Sequence, residues 1–330
     1  MKSLRSKVRM TMNSTSTLSY FILEAYLQLG ALRYFYFVLT VMLYVVIVVS
    51  NVFLLVVICV NRSLHEPMYL FLCSLLVNEL YGSSGLFPFL LLQILSDVHT
   101  VPAAFCFLQI FCLYSYANVE LCNLAVMSYD RYVAICWPLQ YNTRMTFNTV
   151  VIFIVVIWLY SFVRCVINIC LSVRLTLCGN GINSLYCQNF LIVRLACSDT
   201  KVNNIHGLFG VFLSIVVPLL AILFSYTKIL KVCFSGCSRT RQKAVSTCTP
   251  HLVSLFNFSF GCCFEILQSR FDLSDLSAVL RLLLSLYFLL IQPLLTPVIY
   301  GMQMSKIRKI YQHMFCYKML SCYKDPLQVQ

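Results

Sequence analysis

Charge is scarce in this chain. Of 330 residues only 11% are Asp, Glu, Lys or Arg, and the acids number 11; glycine and proline are also few, at 10 and 9. A soluble domain of this length carries about twice that charged fraction, because its surface must be hydrated. With 60% of the residues apolar, a single dry core would have to be implausibly large, so an ordinary soluble fold is excluded. Groupings that enzymes need are missing too: there is no Ser-His-Asp or Cys-His set, no glycine-rich phosphate cradle and no metal-spaced cluster among 5 histidines. The sequence thus points to no enzyme and implies no cofactor. The formal charge of +13 does not imply a nucleic-acid partner, because the basic residues are scattered among segment ends rather than interleaved with aromatics on one face. Residues 1–33 lack a short apolar core followed by a small-residue cleavage site, so the first apolar run is expected to act as its own targeting signal.

What the chain does have is seven apolar runs: Tyr34–Val60, Met68–Leu92, Ala103–Met127, Asn148–Ser172, Val202–Thr227, Ala244–Leu267 and Ser277–Tyr300. At 1.5 Å per residue each is long enough to cross about 30 Å of hydrocarbon. The expected fold is an all-α membrane protein, a seven-transmembrane helix bundle (34–301) preceded by a tail (1–33) and followed by a short C-terminal amphipathic helix and tail (302–330). Seven crossings put the termini on opposite sides. With the N-terminus outside, 13 of the 24 Lys and Arg fall on the inner side, including Arg62, Arg144, Lys228 and Arg239. The basic prefix Lys2, Arg5, Lys7 and Arg9 opposes that bias, and Met12 is the expected start of the chain. Asn13-Ser14-Thr15 is then a glycosylation sequon on the outer tail.

Polar residues within the runs are the candidates for function. Asp130 and Arg131 sit where the third run ends, at the depth where an ion pair is cheap to keep. Glu79 and Glu120 fall ~18 Å and ~16 Å from the inner ends of their helices, so they meet near the midplane, where a buried carboxyl needs a proton, a cation or polar partners. Asn51 and Thr296 are placed to join them around a watery polar cavity, and Pro297 should kink the last helix. Protonated carboxyls that merely staple helices together are the plainer alternative. Helical spacing puts Leu113, Tyr114 and Ala117, with neighbouring Asn118, beside one inward stripe in the outer half. Of 18 cysteines, Cys106, Cys178, Cys187 and Cys197 fall on the outer side, where oxidation favours bridges, and three pairings are open. Cys316 and Cys322 lie in a basic amphipathic stretch that suits lipidation.

A set of motifs recurs at membrane-span spacing. Leu64-His65-Glu66-Pro67-Met68-Tyr69 comes first, then Met127 to Cys136 (MSYDRYVAIC), Ser225-Tyr226, Lys243 to Leu252 (KAVSTCTPHL) and Pro293 to Tyr300 (PLLTPVIY). Together they resemble the odorant receptors of the rhodopsin-like G-protein-coupled receptors, with a fish-type flavour in Val77 to Gly82 (VNELYG). The resemblance implies a small-molecule odorant, a stimulatory heterotrimeric G protein and membrane lipid as partners, in the plasma membrane with the N-terminus extracellular. It implies that Arg131, released from Asp130, contacts the G protein, and that Tyr132, Tyr226, His251, Pro297 and Tyr300 belong to the same switch. Gly210, Ser214, Ser259, Cys262 and Ile266 would face the ligand, with Glu265 at the rim. Pairing of Cys106 with Cys187 and of Cys178 with Cys197 is implied, as is a possible sodium ion near Glu79 and Glu120. Ser50 and Thr296 depart from the usual Gly and Asn, and Thr296 weakens the case for sodium. The rival functions are a receptor for an internal metabolite or hormone, and a transporter or channel.

Overall fold

A computed structural model describes residues 19–28, 32–235, 249, 252–264, 278–303, 306–308, 310 and 312. Among the described residues five helices are long and apolar enough to cross a membrane. They are α1 (Arg33–Val60), α2 (Pro67–Leu95), α3 (Ala103–Cys136), α4 (Phe147–Val173) and α5, which runs from Lys201 to Ser235. Two further segments, α6 (Leu252–Phe264) and α7 (Ala278–Gln303), complete a bundle of seven.

Local chemistry sets the ends of these helices. Pro67 opens α2, where a missing N–H costs nothing, and the Thr146 hydroxyl caps α4 by accepting from the Thr149 N–H at 3.3 Å. Within α5 the turn Phe212–Val216 widens to a π-helix just before Pro218, whose ring cannot accept the tighter winding. The helix α3 continues beyond Met127 to Cys136, so Asp130 and Arg131 lie within it and not at its end. The apolar run stops at the interface, but backbone hydrogen bonding does not depend on apolar side chains and carries the helix onward.

The helix α3 is also the hub. Its most apolar stretch is 56% buried inside the protein, against 22% for α4 and α5, whose outer faces present Val155, Val163, Leu220 and Phe224 to the surroundings. Glycine lets α2 close on it: a Cβ at Gly82 would overlap the Tyr116 ring.

One end of the bundle is covered by a small sheet. Strand β1 (Tyr20–Leu23) pairs antiparallel with β2 (Thr100–Pro102) and parallel with β3 (Gly181–Ile182). The latter part of the segment expected to be a tail is therefore the centre of a lid. Tyr26 anchors it, its buried hydroxyl donating to the Leu185 carbonyl at 2.7 Å. At the opposite end Lys306 ion-pairs with Glu66, which precedes α2.

Candidate functional site

Three tiers of polar structure lie along α3. The uppermost, under the sheet, is a cavity of about 210 Å³ bounded by α3, α4, α5, α6 and the segment between α4 and α5. Leu113, Tyr114, Ala117 and Asn118 form its α3 wall, Gly210 and Ser214 its α5 wall, and Cys262 reaches it from α6. Ser259 does not line it; its position on α6 turns the hydroxyl into protein, where the oxygen is buried without a hydrogen bond. Ile266 and Glu265 lie outside the described residues.

Disulfides hold the roof. Cys106 is joined to Cys187 and Cys178 to Cys197, with Cα atoms 5.4 and 5.6 Å apart. The Cys187 N–H also donates to Gln109 Oε1 at 2.9 Å. This brings Tyr186, Gln188 and Asn189 over the cavity. The short helix Asn189–Arg194 follows, and its Phe190 and Val193 face the same space.

The middle tier is a buried hydrogen-bond network. Glu79 accepts from the Tyr116 hydroxyl at 3.0 Å and from Thr296 Oγ1 at 2.9 Å. Glu120 accepts from Asn78 Nδ2 at 3.0 Å and from Gln292 Nε2 at 2.9 Å. Gln292 continues the chain through Ser254 to the Tyr300 hydroxyl, and through Asn257 to Tyr287. Four helices are thereby tied around two carboxyls, none of which is solvated: Glu79, Glu120, Gln292 and Thr296 are all at 0% exposure. Burying such groups is tolerable only when their hydrogen bonds are made inside.

Asn51 makes no hydrogen bond to the carboxyls it was expected to join. Its amide donates to the Pro293 carbonyl at 2.9 Å, the oxygen left without its helical partner because Pro297 has no N–H. Each of the four carboxyl oxygens of Glu79 and Glu120 already accepts a hydrogen bond, and among the described residues no three His, Cys, Asp or Glu side chains gather for a metal.

The lowest tier is the Asp130–Arg131 pair. Arg131 Nε donates to Asp130 Oδ2 at 2.9 Å, and the Tyr141 hydroxyl donates to Asp130 Oδ1 at 2.8 Å. Asp130 is fully buried, and burial together with this carboxylate pushes the Tyr141 phenol up. Tyr226 and Tyr300 are buried within electrostatic reach of each other. Tyr132 packs against Tyr129 and Phe224 and accepts from Trp137 Nε1 at 3.1 Å. Pro297 lies inside α7; His251 and Asn13 lie outside the described residues.

Sequence reasoning overlooked Tyr116, Asn78, Gln292 and Tyr141, and also Arg164 of α4, which lines the cavity. Only Arg164 carried a readable signal, being the single charged residue in the stretch Phe147–Val173.

The bundle superposes on squid rhodopsin with a TM-score of 0.72, covering 96% of this chain and 90% of that one at 16% identity, so it has the seven-helix architecture of the rhodopsin-like receptors. The olfactory receptor family model matches residues 40–318. Olfactory receptor 11A1 of Homo sapiens is 33% identical over 306 residues, covering 92% of this chain and 95% of that protein. Olfactory receptor 8U3 of Mus musculus is 33% identical over 298 residues, covering 89% and 92%. The chain belongs to the olfactory receptor family: it is an odorant receptor of the G-protein-coupled class, a multi-pass membrane protein and not an enzyme.

Proposed function

We propose that a small odorant binds in the cavity under the sheet and that the Asp130–Arg131 end activates a stimulatory heterotrimeric G protein. The sheet-covered end is extracellular in this reading, the receptor sits in the plasma membrane, and Asn13 carries glycan. One observation carries it: the cavity wall, the buried network and the ion pair share α3, with Ala117 and Asn118 flanked by Tyr116 and Glu120. A ligand pressing on Ala117 or Cys262 acts on helices already joined through Gln292, Ser254 and Tyr300. Any ligand that fits better when α6 and α7 have shifted moves the resting equilibrium toward that state. Arg131 then exchanges Asp130 for the G protein.

The test is cyclic AMP output from cells displaying the receptor, with surface delivery measured separately. An odorant that raises output should fail on Ala117→Phe, which fills the cavity, while surface delivery is kept. An unchanged response from that variant would place the ligand elsewhere.

A further inference from the structure

Arg164 is the one charged residue among the described residues that line the cavity. It lies nine residues before Val173, ~14 Å down the helix from the sheet-covered end, at a depth where an ionised side chain is costly. The ion pairs among the described residues engage Arg33, Arg131, Lys201 and Lys306, and Arg164 makes neither an ion pair nor a hydrogen bond with any described residue. Among the described residues, the Cys122 and Cys165 thiols and the His206 imidazole lie within its electrostatic reach. Room for the guanidinium comes from across the cavity, because a Cβ at Gly210 would overlap its Nη2. The carboxamides Asn168, Asn203 and Asn204 line the same cavity, as do the apolar side chains of Leu113, Ala117 and Ile215.

A half-buried cation at this depth, with no counter-ion among the described residues, favours a ligand that supplies the negative charge. We infer that the odorant is a small organic acid whose carboxylate pairs with Arg164 while its hydrocarbon part lies against Leu113, Ala117 and Ile215. The inference rests on the cavity being the ligand site. A guanidinium fork matches two carboxylate oxygens, and one carboxylate neutralises one cation, whereas a phosphate dianion would leave excess buried charge. The volume suits the assignment: a cavity of about 150 Å³ accepts benzene, so 210 Å³ holds a molecule modestly larger.

The experiment uses acids from butanoate to decanoate and benzoate, each against its alcohol and its primary amide. Thermal stability of the purified receptor reports binding, and cyclic AMP in cells reports signalling. Stabilisation and activation are expected for acids and not for their neutral counterparts. Arg164→Gln should raise the concentration needed for half response by roughly 30-fold or more, and Arg164→Lys by less, because truncating one side of a buried ion pair is expensive. Four results would overturn the inference: neutral members acting where acids do not, acids acting equally on Arg164→Gln, no acid acting at all, or sodium chloride alone reproducing the stabilisation. Acid responses that appear only in Glu265→Gln would overturn it as well, since that carboxylate would then be the native partner. The two readings fail separately. Neutral odorants that signal through Ala117-sensitive binding leave the receptor intact and sink the acid; acids that stabilise without signalling do the reverse.

Discussion

Thr296 and Glu79 are joined across α7 and α2 by a hydrogen bond of 2.9 Å, the Thr296 hydroxyl donating to Glu79 Oε1, with both residues fully buried. The same hydroxyl lies 3.0 Å from the Gln292 carbonyl one turn earlier, so its single proton is shared between the two acceptors. Thr296→Val keeps the shape and deletes the donor, leaving a buried carboxyl oxygen with one partner fewer. The expected loss is about 1–3 kcal/mol, seen as a lower melting temperature of purified receptor, and Thr296→Ser should recover most of it. An unaltered melting temperature in Thr296→Val would mean the bond is not made.

The Tyr141 hydroxyl holds the Asp130 carboxylate of the ion pair from the side. Losing its donation to Asp130 weakens the hold on that carboxylate, so Tyr141→Phe should raise ligand-independent cyclic AMP several-fold, a hydrogen bond to a charged group being worth about 1.5–3 kcal/mol. Unchanged basal output at matched surface expression would remove Tyr141 from the switch.

The two disulfides differ in reach. Cys106–Cys187 spans 81 residues and secures the roof to α3, whereas Cys178–Cys197 spans 19 and closes a local loop. The longer loop frees more of the unfolded chain when the bridge is lost. Surface delivery should therefore fall sharply in Cys187→Ser and less in Cys197→Ser, as counted by flow cytometry of an N-terminal epitope; the opposite order would contradict this.

The lid should respond to acid. His99 stacks on Tyr26, ring centroids 5.2 Å apart, and burial pushes its imidazole below the ordinary 6.5. A depressed pKa means the folded state prefers the neutral ring, so its stabilising effect is full above about pH 6.5 and is lost as pH falls through the lower folded value. Melting temperature should decline between about pH 7.5 and about pH 5.5, and His99→Gln should flatten that decline.

Membrane physics explains what could be read in advance. Hydrocarbon demands about 20 apolar residues per crossing, so the spans announce themselves, and α1, α2 and α4 differ from their expected bounds by three residues at most. The depth of Glu79 and Glu120 followed from counting residues, and they do lie in one network. Their partners did not follow, because whether Tyr116 or Gln292 meets a carboxyl depends on how helices rotate about their axes. The sheet was invisible for a different reason: strands of two to four residues leave no period to detect. Arg164 was hidden among basic residues taken as topology markers, although a cation in mid-span is a stronger signal than one at an end.

Reconstitution gives the most direct test of the central claim, that occupancy of the upper cavity frees Arg131 for a G protein. Receptor in lipid nanodiscs would be mixed with a stimulatory G-protein heterotrimer, and guanine-nucleotide exchange timed with and without an activating odorant. Exchange should accelerate on wild-type receptor and stay at the receptor-free rate on Arg131→Ala, with odorant-induced stabilisation preserved in both. Odorant-driven exchange of undiminished rate on Arg131→Ala would contradict the account.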